Sequence, residues 1–465
     1  MLGWPPLVCR EASPAGADPT NRPASAGLYS AVSVLNRPPL HAGGVAGRRW
    51  PLDELLSETN RAWRARAREV AEKVVRPKAA HYDRVQEYPW EIKDALCASG
   101  LMGVWIPPEY GGGGGGVLDL CLVVEELSKA CGGVGVLYAV NALGSFPLLL
   151  AGTDEQKRHY LPDIASGRRL CAFGLSERGA GSDAGGLATR CEVGAGELII
   201  NGDKKWTTNG GAADIYTVFT VSDPTSMSRR LSAVLIEKGD PGFAIGRTED
   251  KMGIRCVPVV ELHFRDCRVP ADRILGGRPG LGFKHAMMTL DRARPGVAAQ
   301  AVGCAQGATD LAVVYCNQRQ QFGQPISGFQ MVQGMLADMS TQIEAARQLV
   351  HASARALDLG AKDVTRMAAQ AKLFATDVAM NVTTDAVQLF GGYGYMRDYP
   401  IEKYMRDAKI TQIYEGTNQV QRIVVARSII KQAAALEHLK AYIPLPDHPN
   451  TLADRARASA APAKA

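Results

Sequence analysis

The spacing of apolar and polar positions divides the chain into three blocks of different period. Between Pro51 and Pro77, Leu52, Leu55, Leu56, Ala62, Trp63, Ala67, Val70 and Val74 recur mostly at three- and four-residue steps, as on one face of a helix. Residues 100–116, "GLMGVWIPPEYGGGGGG", consist of turn formers and predict a loop. Helices are predicted over 117–131 and 133–151, and Thr153 to Gln156 has the capping-box spacing that opens another. Near residue 171 the period changes. "ELIINGDKKWTTNGG", "DIYTVFTVSD", "LSAVLIEKGDPGFAIG" and "VVELHFRDCRVP" are short β-branched runs divided by Gly, Asn and Asp turns, and they predict antiparallel strands. From 282 to 358 and from 361 to 434 the Ala-, Leu- and Gln-rich pattern is helical again, as in a bundle.

These blocks predict an α+β multi-domain chain. An N-terminal all-α domain spans 51–170, a middle antiparallel β-domain 171–276, and a C-terminal four-helix bundle 277–434. Residues 1–50, rich in Pro, Ala, Gly and Arg, read as a disordered extension, and 435–465 as a flexible tail. A β-domain set between two helical units leaves a crevice at the interface, and pockets favour such places.

Composition narrows the function little. Lys and Arg number 53 against 47 Asp and Glu, a net charge of +6, with no basic block interleaved with aromatics. That argues against a nucleic-acid partner and leaves an anionic small molecule open. The ten cysteines form no CxxC pair and have no His cluster beside them, so no metal is predicted and they read as reduced thiols of an intracellular protein. No apolar run is expected to span a bilayer, and no membrane insertion is predicted.

The candidate chemistry lies in six separated stretches, each with an ordinary reading. "SERGAGSD" (176–183) is a small-residue turn after a strand, and "KKWTTNGG" (204–211) sets Trp206 beside an Asn-Gly turn. "LDRARPGVAAQ" (290–300) opens a helix with Arg294 just before a proline. "RQQFGQPI" (319–326) and "LFGGYGY" (389–395) look like helix-joining loops. "YEGTNQVQR" (414–422) holds Glu415, which is either a solvated charge at a helix end or a base aimed at a substrate.

In their order and combination, five of them, "SERGAGSD", "KKWTTNGG", "RQQFGQPI", "LFGGYGY" and "YEGTNQVQR", resemble the acyl-CoA dehydrogenase family of flavoenzymes, over roughly residues 53–432. The resemblance implies FAD as cofactor, an acyl-CoA substrate taken to its trans-2-enoyl thioester, electron-transferring flavoprotein as acceptor, and a homotetramer built as a dimer of dimers. It places Phe173, Ser176, Gly181 and Ser182 along the flavin, with Trp206, Thr207 and Thr208 against one face. Arg319, Phe322 and Gln330, with Gln388, Gly391 and Gly392, would reach the FAD of a neighbouring subunit, and Thr417 and Gln419 would contact it just after the base. Ser182, Asp291, Arg294 and Gly416 would meet the acyl-CoA. Glu415 matches the catalytic base, and the flavin ribityl hydroxyl and the base's own N–H would polarise the thioester oxygen.

Physical chemistry sets a condition on that role. A free glutamate is too weak a base to remove a thioester α-proton unless burial raises its pKa and donors stabilise the enolate. Two departures from the family pattern stand out: Arg178 where proline is usual, and Ser176 where threonine is common. In a branch of the family the base comes from the helix around 291–294, where this chain offers only Asp291. The alternatives are an oxygen-using acyl-CoA oxidase or flavin monooxygenase on the same fold, and a nucleic-acid-binding relative, which would need a basic C-terminal extension. Small and apolar residues on 133–151 (Gly135, Ala139 and Ala142 with Leu137, Leu143 and Phe146) favour a simple aliphatic acyl group. The expected location is the bacterial cytoplasm, or the mitochondrial matrix in a eukaryote.

Overall fold

The computed structural model describes residues 53–443, so the expectations for residues 1–50 and for 444–465 lie outside the described residues. Backbone contacts group the chain into Met1–Leu55 and Leu56–Ala465, and the architecture below is that of the second unit. Its first block holds α1 (Glu58–Val70), α2 (Ala79–Val85), α3 (Trp90–Ala98), α4 (Val117–Ala130), α5 (Gly132–Ala151) and α6 (Asp154–Ser166). The predicted capping box of α6 is present, with the Gln156 N–H donating to Thr153 Oγ1 at 3.2 Å.

A helix apolar on every side has to be buried on every side. Helix α5 is long and apolar enough to cross a membrane, against the sequence expectation, and so is α7 (Gly282–Gln318). Both are mostly enclosed within the fold, which makes them core helices by position. Helix α7 packs against α4, α5 and α9 (Val364–Phe390), with α8 (Gln330–Asp358) alongside. Helix α7 begins at Gly282, where the helical pattern resumes, so the stretch 290–300 does not open a helix and Pro295 lies inside one. The ladder bond that Pro295 cannot make falls beside Gly296, whose surroundings are open space.

Seven strands form the middle layer: β1 (Cys171–Gly174), β2 (Arg190–Val193), β3 (Glu197–Thr208), β4 (Ile215–Val221), β5 (Leu231–Glu237), β6 (Phe243–Thr248) and β7 (Val259–Pro270). Their order is β1-β4-β2-β3-β7-β6, with β5 on β4. The expectation of an antiparallel sheet needs correcting, because β1 runs parallel to β4 in the register Cys171 to Ile215. Forty residues (175–214) separate those two strands, so the link is a crossover and not a hairpin, and a parallel pair requires one. Strands β8 (Gln320–Gln321) and β9 (Gln324–Pro325) make a small hairpin before α8, and α10 (Ile401–Thr411) and α11 (Asn418–Lys431) follow α9. Residues Gln432–Tyr442 then continue in 3-10 turns.

The predicted loop at 100–116 is irregular, and its first half is buried, with Leu101, Met102, Val104, Trp105 and Ile106 in the core and 107–116 half-buried or exposed. Two of its glycines have no room for a side chain. A Cβ on Gly112 would fall 2.0 Å from the Ile106 carbonyl oxygen, and one on Gly116 would fall 2.4 Å from Asp358 Oδ2. That carboxylate caps α4 from the end of α8, accepting the Val117 N–H at 2.7 Å and the Leu118 N–H at 3.0 Å. Buried ion pairs complete the frame: Arg64 and Arg68 of α1 reach Glu126, and Arg347 of α8 reaches Glu125.

Asp358→Ala leaves two helix N–H groups without their acceptor and is expected to cost about 1–2 kcal/mol. Gly116→Val, which drives a side chain into the capping carboxylate itself, is expected to cost more. Urea unfolding should show lower midpoints for both at unchanged slope.

Candidate functional site

Strand β3 has to turn at its end to free a side chain for the cavity. Its register with β7 shifts between Lys204 and Thr207, and Trp206 sits there at φ 59°, in the left-handed region. The bulge breaks the alternation, leaving Trp206 half-exposed while Thr207 is buried with no hydrogen-bond partner for its Oγ1. The indole sits at the junction of two cavities. One, of about 430 Å³, is lined from β1 and its following loop, β3, α5, α7 and the segment around Glu415. The other, of about 310 Å³, lies between the 249–254 loop and α10. Trp206, Thr208 and Tyr414 border both.

The loop after β1 is pinned by a buried ion pair. Glu177 accepts the N–H groups of Ala188 (2.7 Å) and Thr189 (3.0 Å), while Lys204 Nζ donates to Glu177 Oε1 (2.6 Å) and to the Leu175 carbonyl (3.1 Å). Burial pulls Lys204 down to about 8 against the pull of Glu177. So held, the loop lines the larger cavity with Phe173, Ser176, Gly181 and Ser182. The departure at Arg178 does not intrude, since its side chain points to solvent and pairs with Glu261 at 3.4 Å.

Across the cavity stands Glu415, in the turn between α10 and α11, at φ 53° and followed by Gly416 at φ 89°. Glu415 lines the cavity, and its Oε2 is buried with no hydrogen-bond partner. Burial raises its pKa from 4.5 to about 7, opposed by the charges of Arg294 and Lys372. Among the described residues the Glu415 N–H also has no acceptor. The neighbouring Tyr414 hydroxyl bonds Gln300 Oε1, and Gln300 Nε2 reaches the Gly132 carbonyl at 3.0 Å, so the turn is tied to α7 and α5.

Of the residues singled out from the sequence, Phe173, Ser176, Gly181, Ser182, Trp206, Thr208, Arg294, Glu415 and Gly416 meet around this one cavity. Asp291 stands behind, accepting from Arg294 Nη1 at 2.8 Å and from the Thr365 hydroxyl at 2.6 Å. That leaves Arg294 Nε buried without a partner. Arg319, Phe322, Gln330, Gln388, Gly391 and Gly392 do not line this cavity, and all six are exposed. Two of these loops meet where the Arg319 guanidinium lies 5.6 Å from the centre of the Tyr393 ring, and Phe322 is 94% exposed beside them. Thr417 caps α11 by accepting the Val420 N–H at 3.2 Å, and Gln419 is exposed. From α5 the cavity takes Val136, Ala139, Val140, Leu143 and Phe146, and Gly135, Leu137 and Ala142 are not among its walls. No group of three or more His, Cys, Asp or Glu residues able to hold a metal occurs among the described residues.

Sequence reasoning missed Gln300 and, above all, Lys372, whose ammonium reaches the Gly416 carbonyl at 3.0 Å. A signal existed: Lys372 falls on the alanine face of α9, in line with Ala368, Ala375 and Ala379, where a charge has no ordinary reason to be.

Family models match in three consecutive pieces: the acyl-CoA dehydrogenase N-terminal domain over residues 57–168, the middle domain over 172–267 and the C-terminal domain over 280–430. A probable acyl-CoA dehydrogenase, fadE25, of Mycobacterium leprae is 48% identical over 82% of this chain and 98% of its own length. Among solved structures, the butyryl-CoA dehydrogenase of Megasphaera elsdenii is 44% identical with a TM-score of 0.79, covering 81% of this chain and 99% of that one. A chain from a study of the electron transferring flavoprotein of Acidaminococcus fermentans is 48% identical, also at a TM-score of 0.79, covering 80% of this chain and 98% of that one.

The raised Glu415 pKa can be tested without turnover. In protein carrying carboxyl-13C glutamate, one resonance is expected to titrate near pH 7 while exposed glutamates titrate near 4.3. Glu415→Gln should remove that resonance. A spectrum in which no glutamate titrates above pH 6 would contradict the assignment.

Proposed function

The chain belongs to the acyl-CoA dehydrogenase family, and from that premise we propose that Glu415 is the base that takes the α-proton of a bound acyl-CoA. The reaction is the α,β-dehydrogenation of a saturated acyl-CoA thioester to the enoyl thioester. The observation that carries the assignment of the base is the Glu415 carboxyl itself. Glu415 lines the cavity, its Oε2 is buried with no hydrogen-bond partner, and burial brings its pKa to about 7. A general base works best with a pKa near the working pH and within contact range of its proton, so position and basicity agree here.

Members of this family are flavoproteins, and FAD is the flavin proposed here. The residues present fit one: Trp206 gives a flat surface between two adjoining cavities, Thr207 Oγ1 is a buried polar atom without a partner, and no side chain fills the space beside Gly181. Phe173, Ser176, Gly181, Ser182, Trp206, Thr207 and Thr208 would hold its ring system. When bound, the flavin supplies the acceptor for the hydride that leaves the β-carbon.

The protein's own residues do the rest. The Glu415 carboxylate receives the α-proton, and the free Glu415 N–H offers a hydrogen bond to the thioester oxygen as negative charge gathers there. Arg294, held by Asp291, lines the cavity and would lend a positive charge near the reacting carbons. Val136, Ala139, Leu143 and Phe146 exclude water and suit an aliphatic acyl chain.

We also propose electron-transferring flavoprotein as the electron acceptor, a location in the bacterial cytoplasm, the three-domain division at 51–170, 171–276 and 277–434, and a homotetramer. The exposed set of Arg319, Phe322, Gln330, Gln388, Gly391 and Gly392 supports the last. An aromatic ring as bare as Phe322, beside unengaged polar groups, suits a surface completed by a second subunit and its FAD. Purified protein is expected to be yellow, to hold stoichiometric FAD and to scatter light as a tetramer. A colourless protein that takes up no added FAD, or an active monomer, would contradict this.

Glu415→Gln should leave fold, FAD content and acyl-CoA binding intact while slowing flavin reduction by at least about 10²–10⁴-fold. A merely solvated charge would cost under about 0.5 kcal/mol in stability and nothing in rate. Anaerobic rapid mixing with an acyl-CoA separates the two. Comparing artificial-acceptor reduction with oxygen consumption distinguishes a dehydrogenase from an oxidase.

A further inference from the structure

A lysine on the inner face of an alanine-rich helix needs a reason to be there, because an ammonium cut off from water is costly unless it is fully bonded. Lys372 has no exposed surface and is flanked on α9 by Ala368, Ala369, Ala371 and Ala375, all equally buried. Its Nζ donates to the Gly416 carbonyl at 3.0 Å and to Asn418 Oδ1 at 2.8 Å. Asn418 in turn donates to Thr376 Oγ1 (2.9 Å) and Asp377 Oδ1 (2.7 Å), and the same Asp377 oxygen accepts from Gln412 at 2.7 Å. Between Lys372 and Asp377, less than two turns of α9 grip the chain just before Glu415, at Gln412, and just after it, at Gly416 and Asn418.

The gripped segment is the strained one. Glu415 lies at φ 53°, where an L side chain is disfavoured and persists only when the surroundings impose it. The carbonyl oxygens that follow are held from two sides, that of Gly416 by Lys372 and by Gln421 Nε2 (2.8 Å), and that of Glu415 by the same Gln421 nitrogen (3.2 Å). We propose that Lys372 is the positioning residue of the base, clamping the Glu415–Gly416 turn through the Gly416 carbonyl and supplying the cation that keeps the neighbouring carboxyl ionisable. This rests on the reading of Glu415 as the base.

The charged groups around the carboxyl are few. Arg294 faces it from α7 and Lys372 from α9, while Asp377 acts on Lys372 from one turn further along, and Asp291 partly neutralises Arg294. Burial brings Lys372 down to about 7, with Arg294 pushing the same way and Glu415 and Asp377 opposing. Base and lysine therefore stabilise each other's charged forms. Removing the cation disfavours the carboxylate, so the pKa of Glu415 rises and the base becomes available only at higher pH.

The test is the pH profile of flavin reduction in the FAD-loaded protein, compared for the parent, Lys372→Met and Lys372→Gln. The parent is expected to gain rate as pH rises through about 7. Lys372→Gln keeps a donor for the Gly416 carbonyl but no charge. Its limb is expected to move up by about one pH unit, with rate lost at neutrality and regained at high pH. Lys372→Met removes donor and charge, and should show the same shift plus a limiting rate about 10- to 100-fold lower, since small misplacements of a base are that costly. If Lys372→Met does not fold or hold FAD, Lys372→Gln decides alone. A Lys372→Gln limb at the parent position, or a uniform loss across pH with no shift, would overturn the inference and leave Lys372 a packing residue. Glu415→Gln serves as the control for the underlying reading. Reduction at the parent rate there removes the base assignment itself, whereas a slow Glu415→Gln beside unshifted Lys372 variants removes only the role of Lys372.

Discussion

Everything in this fold that concerns chemistry depends on keeping one carboxyl group out of water without losing its charge. Exposed, Glu415 would be too weak a base; buried without compensation, it would stay protonated. The structure sits between these limits. Apolar walls from α5 and α7 raise its pKa, and the two cations nearest to it, Arg294 and Lys372, restrain the rise at about 7. Neither cation is a free surface charge. Arg294 is held by Asp291, and Lys372 by a carbonyl and an amide oxygen, so both stay put when substrate displaces water from the cavity.

The two loops that face each other across the cavity are anchored in the same manner. In each, a fully buried lysine reaches from a regular element to one backbone carbonyl of the loop and one side-chain oxygen. Lys204 of β3 takes the Leu175 carbonyl and Glu177, and Lys372 of α9 takes the Gly416 carbonyl and Asn418. Each anchored region also contains a non-glycine residue with positive φ, Trp206 beside Lys204 and Glu415 beside Gly416. Strain of this kind persists where the surroundings over-determine it, and a multivalent ammonium in a low-dielectric interior is well suited to that purpose. Sheet and bundle thus each present one rigidly aimed side chain to the cavity, a flat ring on one side and a carboxyl on the other.

How much of this was legible follows from the range of the interactions. Helical and strand blocks came from local periodicity, and the capping box at Thr153 from a four-residue spacing. The site residues lining the cavity came from short motifs whose order resembles a known family. What pattern reading could not supply were interactions between distant segments. The parallel pairing of β1 with β4 depends on a crossover, and the capping of α4 comes from Asp358, some 240 residues away. Helices α5 and α7 look long and apolar enough for a membrane until their packing is known. Lys372 was passed over because its helix reads as plain amphipathic, and only the loop 44 residues later gives the charge a partner.

The same geometry implies a cost in stability with a definite sign. A carboxyl whose folded pKa is raised favours the protonated folded state, so stability is retained below the ordinary value of 4.5 and falls as pH rises toward the folded value near 7. At about 1.4 kcal/mol per unit, the ionised base alone costs the fold about 3 kcal/mol above neutrality, a large share of a typical domain's margin. Lys372, lowered to about 7, opposes folding in its charged form. Each of these charges is unfavourable alone, and the presence of the other reduces the cost of both. Of the two, the carboxyl is the member left with an unused oxygen to receive a proton.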